Sequence, residues 1–127
     1  MKTISGFAVL LLLNTLAYAE PPLAEAEKSD IEYASPQLAI EALRSKPGVE
    51  VVTEANGWIV ASDHDANAIW SFSPAGDPSY PAMVKRTIVG SPGGPMSLQM
   101  DVSCGASKEA CDGLVRKFIE LNEKAVQ

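Results

Sequence analysis

Histidine is what this chain has least of: His64 is the only one among 127 residues. A Ser-His-Asp triad could draw only on that imidazole, and a metal site built on several imidazoles has no second ligand to use. No serine sits in a Gly-x-Ser-x-Gly elbow. The glycine-containing run Gly90–Pro95 holds two prolines, and no lysine follows at the offset a phosphate-cradling loop requires. One arrangement stays open, a serine activated by a lysine. Basic residues are also in deficit, ten against sixteen acidic ones, for a formal charge of −6. Phosphate recognition needs a basic surface, so nucleic acid and anionic lipid are not expected partners. There is no apolar run of the ~20 residues that a membrane span needs. The expected class is therefore a binding protein rather than an enzyme, with no cofactor and no metal.

The chain does begin with a targeting pattern. Lys2 gives a positive start, Phe7–Leu13 is an apolar core, and Ala17-Tyr18-Ala19 is a small-x-small cleavage site. Residues 1–19 are read as a secretory signal cut before Glu20. No cysteine stands at the cut to accept a lipid, so no membrane anchor is expected after cleavage. Cleavage removes Lys2 and no acid, leaving the exported chain one unit more negative. Periplasmic or secreted localisation follows. Glu20–Asp30 is rich in Pro, Ala, Glu and Lys without apolar period, so residues 20–34 are expected to form a flexible leader. Residues 35–127 then make a single small domain, of a size that often needs a covalent supplement.

The clearest structural signal lies near the C-terminus. Met96, Leu98, Met100, Val102 and Cys104 occupy every second position and polar residues fill the gaps, the pattern of a strand with one buried face. Gly105 ends it. A helix from about Ser107 to Lys124 follows, with Cys111, Leu114, Val115, Phe118, Leu121 and Ala125 at three- and four-residue steps. Gly113 interrupts it at a cost of ~1 kcal/mol. Upstream, Ser35-Pro36 caps and starts a helix whose apolar side is Leu38, Ala39, Ala42 and Leu43, and Lys46-Pro47-Gly48 stops it. Val49–Glu54 and Trp58–Ser62 flank Asn56-Gly57, a hairpin signal. A two-residue turn there would set Thr53 opposite Val60 and put Trp58 and Val60 on the face of Val49 and Val51. Strands over Ala68–Ser73 and Met83–Val89 enclose a proline-rich loop, Pro74–Pro81. The expected fold is α+β: about five mostly antiparallel strands, with the N-terminal and C-terminal helices packed on one face.

Four groups of residues are candidates for function. Cys104 and Cys111, an even count behind an export signal, read as a structural disulfide rather than a redox pair. Asp63-His64-Asp65 holds metal-ligand types but reads as a polar turn. Trp70 and Phe72 fit a core and Tyr80 the loop, yet aromatics beside a proline-rich loop also suit a recognition surface. Lys85 and Arg86, adjacent basic residues in an acidic chain, read as charges guarding a sheet edge, or as a contact for an anionic group. Trp70, Phe72, Tyr80, Lys85 and Arg86 together are the expected partner-binding set.

The segments Trp70-Ser71-Phe72-Ser73-Pro74 and Tyr80-Pro81-Ala82-Met83-Val84-Lys85-Arg86, with Cys104, Cys111 and Phe118, resemble a family of small secreted proteobacterial proteins. The resemblance covers most of the chain from Ser35 onward and implies the periplasm and the disulfide. Some members carry a J-domain chaperone label, but that needs His-Pro-Asp, and His64 here precedes Asp65. The expectation is a monomeric or weakly associating protein that binds an unknown protein partner in the envelope, as an inhibitor or immunity protein of an envelope-acting enzyme would. The alternative is a small-ligand or envelope-stress binding protein with its site under the Pro74–Pro81 loop.

Overall fold

The computed structural model of the protein describes residues 30–125. The expected signal sequence, residues 1–19, and the expected leader as far as residue 29 lie outside the described residues. The elements run α1 (Pro36–Ser45), β1 (Val49–Thr53), β2 (Ile59–Asp63), β3 (Ala68–Phe72), β4 (Ala82–Gly90), β5 (Met96–Cys104) and α2 (Lys108–Ala125). The five strands form one antiparallel sheet in sequence order, β1-β2-β3-β4-β5. Both helices start from side-chain caps. The Leu38 N–H donates to Ser35 Oγ with Pro36 next in line, and the Ala110 N–H donates to Ser107 Oγ. Each cap satisfies a donor that the first helical turn leaves open.

The helices cover opposite faces of the sheet, giving three layers instead of the expected two. One core joins Ala39 and Leu43 of α1 to Ala61, Ala68, Trp70, Phe72 and Met83. The other joins Leu114 and Phe118 of α2 to Trp58, Ala82 and Val84, with Met100, Val102 and Cys104 against it. Alternate residues of a strand point to opposite faces, and Met83 and Val84 are neighbours on β4 that are both fully buried. That strand is therefore sandwiched, and the run Ala82-Met83-Val84 was its mark in the sequence.

The first hairpin explains much of the difference. Thr53 pairs with Ile59, not Val60. The Glu54 N–H donates to the Trp58 carbonyl at 2.8 Å, so the loop holds three residues, Ala55, Asn56 and Gly57. Gly57 sits at φ +88°, the left-handed position that closes a three-residue hairpin. The Trp58 N–H donates to Asn56 Oδ1. A slip of one residue moves a strand's whole side-chain set to the other face. Trp58 accordingly stacks near Phe118 of α2, ring centres 5.9 Å apart, while Ile59 and Ala61 take the α1 side.

The domain also begins earlier than Ser35. Ile31 and Tyr33 pack against the α1-side core, Tyr33 lies 5.5 Å from the Trp70 ring, and Glu32 accepts from Lys85 Nζ at 2.7 Å. On α1 the buried positions are Ala39 and Leu43, with Ile40 beside them, while Leu38 and Ala42 are turned out to solvent. On α2, Leu121 and Ala125 lie outside the buried stripe. Cys104 and Cys111 are bridged, their Cα atoms 5.9 Å apart, which ties the start of α2 to the end of β5.

Candidate functional site

The five residues expected to bind a partner do not form one surface. Trp70 and Phe72 are each 2% exposed, stacked on one another in the α1-side core. Lys85 lies on that face too, over the Trp70 ring and paired with Glu32. Arg86 points to the other face, its guanidinium 5.2 Å from the centre of the Phe118 ring. Its Nε is buried without a hydrogen-bond partner, and burial pushes the guanidinium below its ordinary pKa. Only Tyr80 offers substantial area, on the β3–β4 loop. The edge-guard reading of Lys85 and Arg86 fails as well, because β4 lies between β3 and β5.

Asp63 is committed to structure. It is buried, accepts from Lys46 Nζ at 2.6 Å and from the Ala66 N–H. The Lys46 hydrogen bond holds its carboxyl below the usual carboxylate range against the opposing effect of burial, and the same bond raises Lys46. This pair latches the end of α1 to the β2–β3 turn. His64 and Asp65 are exposed in that turn. Among the described residues no three His, Cys, Asp or Glu side chains converge as a metal set.

The inner side of the Pro74–Pro81 loop is filled rather than open. A Cβ added to Gly57 would lie 3.1 Å from Pro74, and one on Gly105 would lie 3.1 Å from Pro81. Asp77 folds the loop on itself, its Oδ1 accepting from both the hydroxyl and the N–H of Ser79. The Ser79 hydroxyl is the main cause of a lowered Asp77 pKa, and the Lys117 charge adds to it.

Open space lies beside the loop. A groove of about 590 Å³ runs between Asp77-Pro78-Ser79 and α2, with Trp58 at its base. The helix contributes Ala110, Gly113, Leu114 and Lys117, and Glu109 and Arg116 stand at the rim. Lys117 Nζ is 5.0 Å from the Trp58 ring centre, a cation held over an aromatic face. Gly113 borders the cavity, and a Cβ placed there would meet nothing within 4 Å. The groove thus combines an apolar base with the Lys117 ammonium over Trp58, the Asp77 carboxylate, the rim charges of Glu109 and Arg116, and the Ser79 and Ser107 hydroxyls. Those hydroxyls are engaged, Ser79 with Asp77 and Ser107 as the α2 cap. His64 is not among the lining residues.

Sequence reasoning singled out the loop but missed Lys117 and the role of Gly113. The one available signal was energetic: a glycine in the middle of an 18-residue helix costs stability that local structure does not return. Comparison with protein-family models, curated proteins and solved structures yields no match to the chain. Among the described residues no helix is long and apolar enough to cross a membrane.

Proposed function

We propose that the protein is a non-enzymatic binding protein of the periplasm or secreted space, and that its contact site is the groove between the β3–β4 loop and α2. The observation that carries this reading is Gly113. The helix accepts a destabilising residue at the point where a side chain would enter the groove, and no packing demand requires glycine there. The groove is open along its length, which suits a segment of a folded partner. Its occupant is taken to be a protein of the envelope, such as an enzyme the chain inhibits or to which it confers immunity. Lys117 over Trp58 supplies a cation for an acidic or carbonyl group on that segment, and Tyr80 extends the contact along the loop.

Partner capture from envelope extract tests the reading. Gly113→Leu fills the groove from a position that faces open space and puts a better helix former there, so the variant should melt no lower than the native chain yet lose the captured protein. Retention of every partner by folded Gly113→Leu rejects the site. The small-ligand reading keeps one specific support, a volume within the roughly 300–1,000 Å³ typical of ligand pockets. A ligand that binds only the folded state raises the melting temperature, so a metabolite that stabilises the native chain and not Gly113→Leu favours that reading over the protein partner.

A further inference from the structure

The sheet has two edges, and they are managed differently. β1 is five residues long, carries Glu50, and is followed at once by Glu54. β5 is nine residues long with no proline and no lysine, and its only charge is Asp101. A long edge of this kind is a template for pairing with another strand.

The hydrogen-bond pattern fixes which groups β5 presents. The Gly105 N–H donates to the Pro81 carbonyl, and on the other side of β4 the Ile88 N–H donates to the Asn67 carbonyl. Antiparallel ladders alternate. Odd-numbered residues of β5 therefore bond to β4, and the N–H and C=O groups of Met96, Leu98, Met100 and Val102 point outward. Among the described residues no segment pairs with them. The side chains of these same residues lie on the α2 face, where Met96 is 60% exposed. Beside them runs one flank of α2, with Val115, Ile119 and Asn122 at helical spacing. The Asn122 amide reaches Met100 Sδ at 3.7 Å, and Ile119 is 39% exposed. Two acids stand beside that flank: Asp112, paired with Lys108 at 2.8 Å, and the exposed Glu123, one turn beyond Ile119.

We infer that the β5 edge is an interaction surface for a second copy of this chain, paired strand to strand about a two-fold axis at Gln99. Any two-fold centred on a residue of β5 is self-complementary; the one at Gln99 is the midpoint of Met96–Val102, so each of these four outward residues faces another of them. It sets Leu98 opposite Met100 and Met96 opposite Val102 as hydrogen-bonded pairs, so outward groups meet outward groups. It places Asp101 opposite Ser97, so the strand's single charge never meets its own copy. The two sheets become one of ten strands, and both α2 helices lie on the same side with their Ile119 flanks facing. A closed, isologous contact of this kind buries the apolar strip of both copies at once. It leaves the groove beside Trp58 on the other flank of α2, so it stands apart from the proposed binding site.

The test is solution mass by light scattering across a concentration series, with amide exchange by NMR, on the protein expressed with its own leader. The native chain should double in mass as concentration rises, and the amides of Leu98 and Met100 should slow in exchange over the same range. Leu98→Pro removes an outward N–H and no bond to β4, and should stay at monomer mass. Leu98→Lys, which keeps the backbone intact, should do the same and answers for any folding defect of the proline variant. A native chain that stays monomeric to about 1 mM overturns the inference. So does a dimer that survives both variants, or one that forms without slowing those two amides.

Discussion

The two faces of the sheet are built to different ends. The α1 face is sealed: ten residues of helix and the 31–33 segment cover Trp70, Phe72, Ala61 and Met83, and its charges are tied down in the Lys46–Asp63 and Lys85–Glu32 pairs. The α2 face has the longer helix and the only disulfide among the described residues, yet it is the more open. It holds the groove, the unbonded Arg86 Nε, and the exposed Val52 and Met96. Helix length alone does not decide coverage. What matters is which side chains on the helix reach the sheet, here Leu114 and Phe118, while Gly113 adds nothing over the groove.

The largest loss is expected on the sealed side. Phe72→Ala should cost about 3–5 kcal/mol, the range for emptying a buried phenylalanine site, read as a fall in the denaturant midpoint. Binding per folded molecule should be unchanged, because Phe72 touches no part of the groove. A selective loss of partner capture in folded Phe72→Ala would show that the α1 face is not merely structural.

On the open side the main constraint is covalent. Replacing Cys104 and Cys111 together with serine should cost about 2–3 kcal/mol from loop closure alone, since the bridge spans only seven positions. The loss should appear first as faster amide exchange in the first turns of α2, with the α1-side core protected until global unfolding. Equal midpoints for the native and double-serine chains would reject the bridge as a stabilising element.

Much of this architecture could be read from residue patterns. β5, α2 and the sulfur bridge were legible because Met96–Cys104 alternates cleanly and the cysteines stand at the bend. The layering was not. It turned on whether the Asn56-Gly57 loop held two residues or three, and both satisfy the same dipeptide signal. The deciding group is the Glu54 N–H bonded to the Trp58 carbonyl, a backbone choice within the loop that has no residue-type signature. The five residues of the partner set do not share one surface for a related reason. Lys85 and Arg86 are neighbours in sequence, but a strand sends neighbours to opposite faces, and the groove draws instead on residues some forty positions apart.

A smaller effect separates the latch from the core. In the folded chain Asp63 titrates below its ordinary value of 3.8, chiefly because Lys46 donates to it. A depressed carboxyl contributes stability that is present above the unfolded value and lost as pH falls through the folded one. The native chain should therefore lose stability faster than Asp63→Asn as pH drops below about 3.8. The raised Lys46 acts in the opposite sense, its contribution fading only as pH climbs past 10.5. Denaturant midpoints of the two chains across the acid range check this, and parallel acid limbs would mean that the pair is not maintained in solution.

The finest distinction between the faces rests on a single methyl group. Gly113→Ala should stabilise the fold by about 0.5–1 kcal/mol, because alanine loses less backbone freedom than glycine on entering a helix and nothing obstructs its Cβ. If glycine were there for want of selection, the gain would come without loss. If it keeps the groove open, the more stable protein should bind its partner less tightly, and Gly113→Leu less tightly still. Stability and affinity moving in opposite directions along Gly, Ala and Leu would identify the groove as the feature for which helix stability is given up. Affinity unchanged across the three would leave the open face without a function at this position.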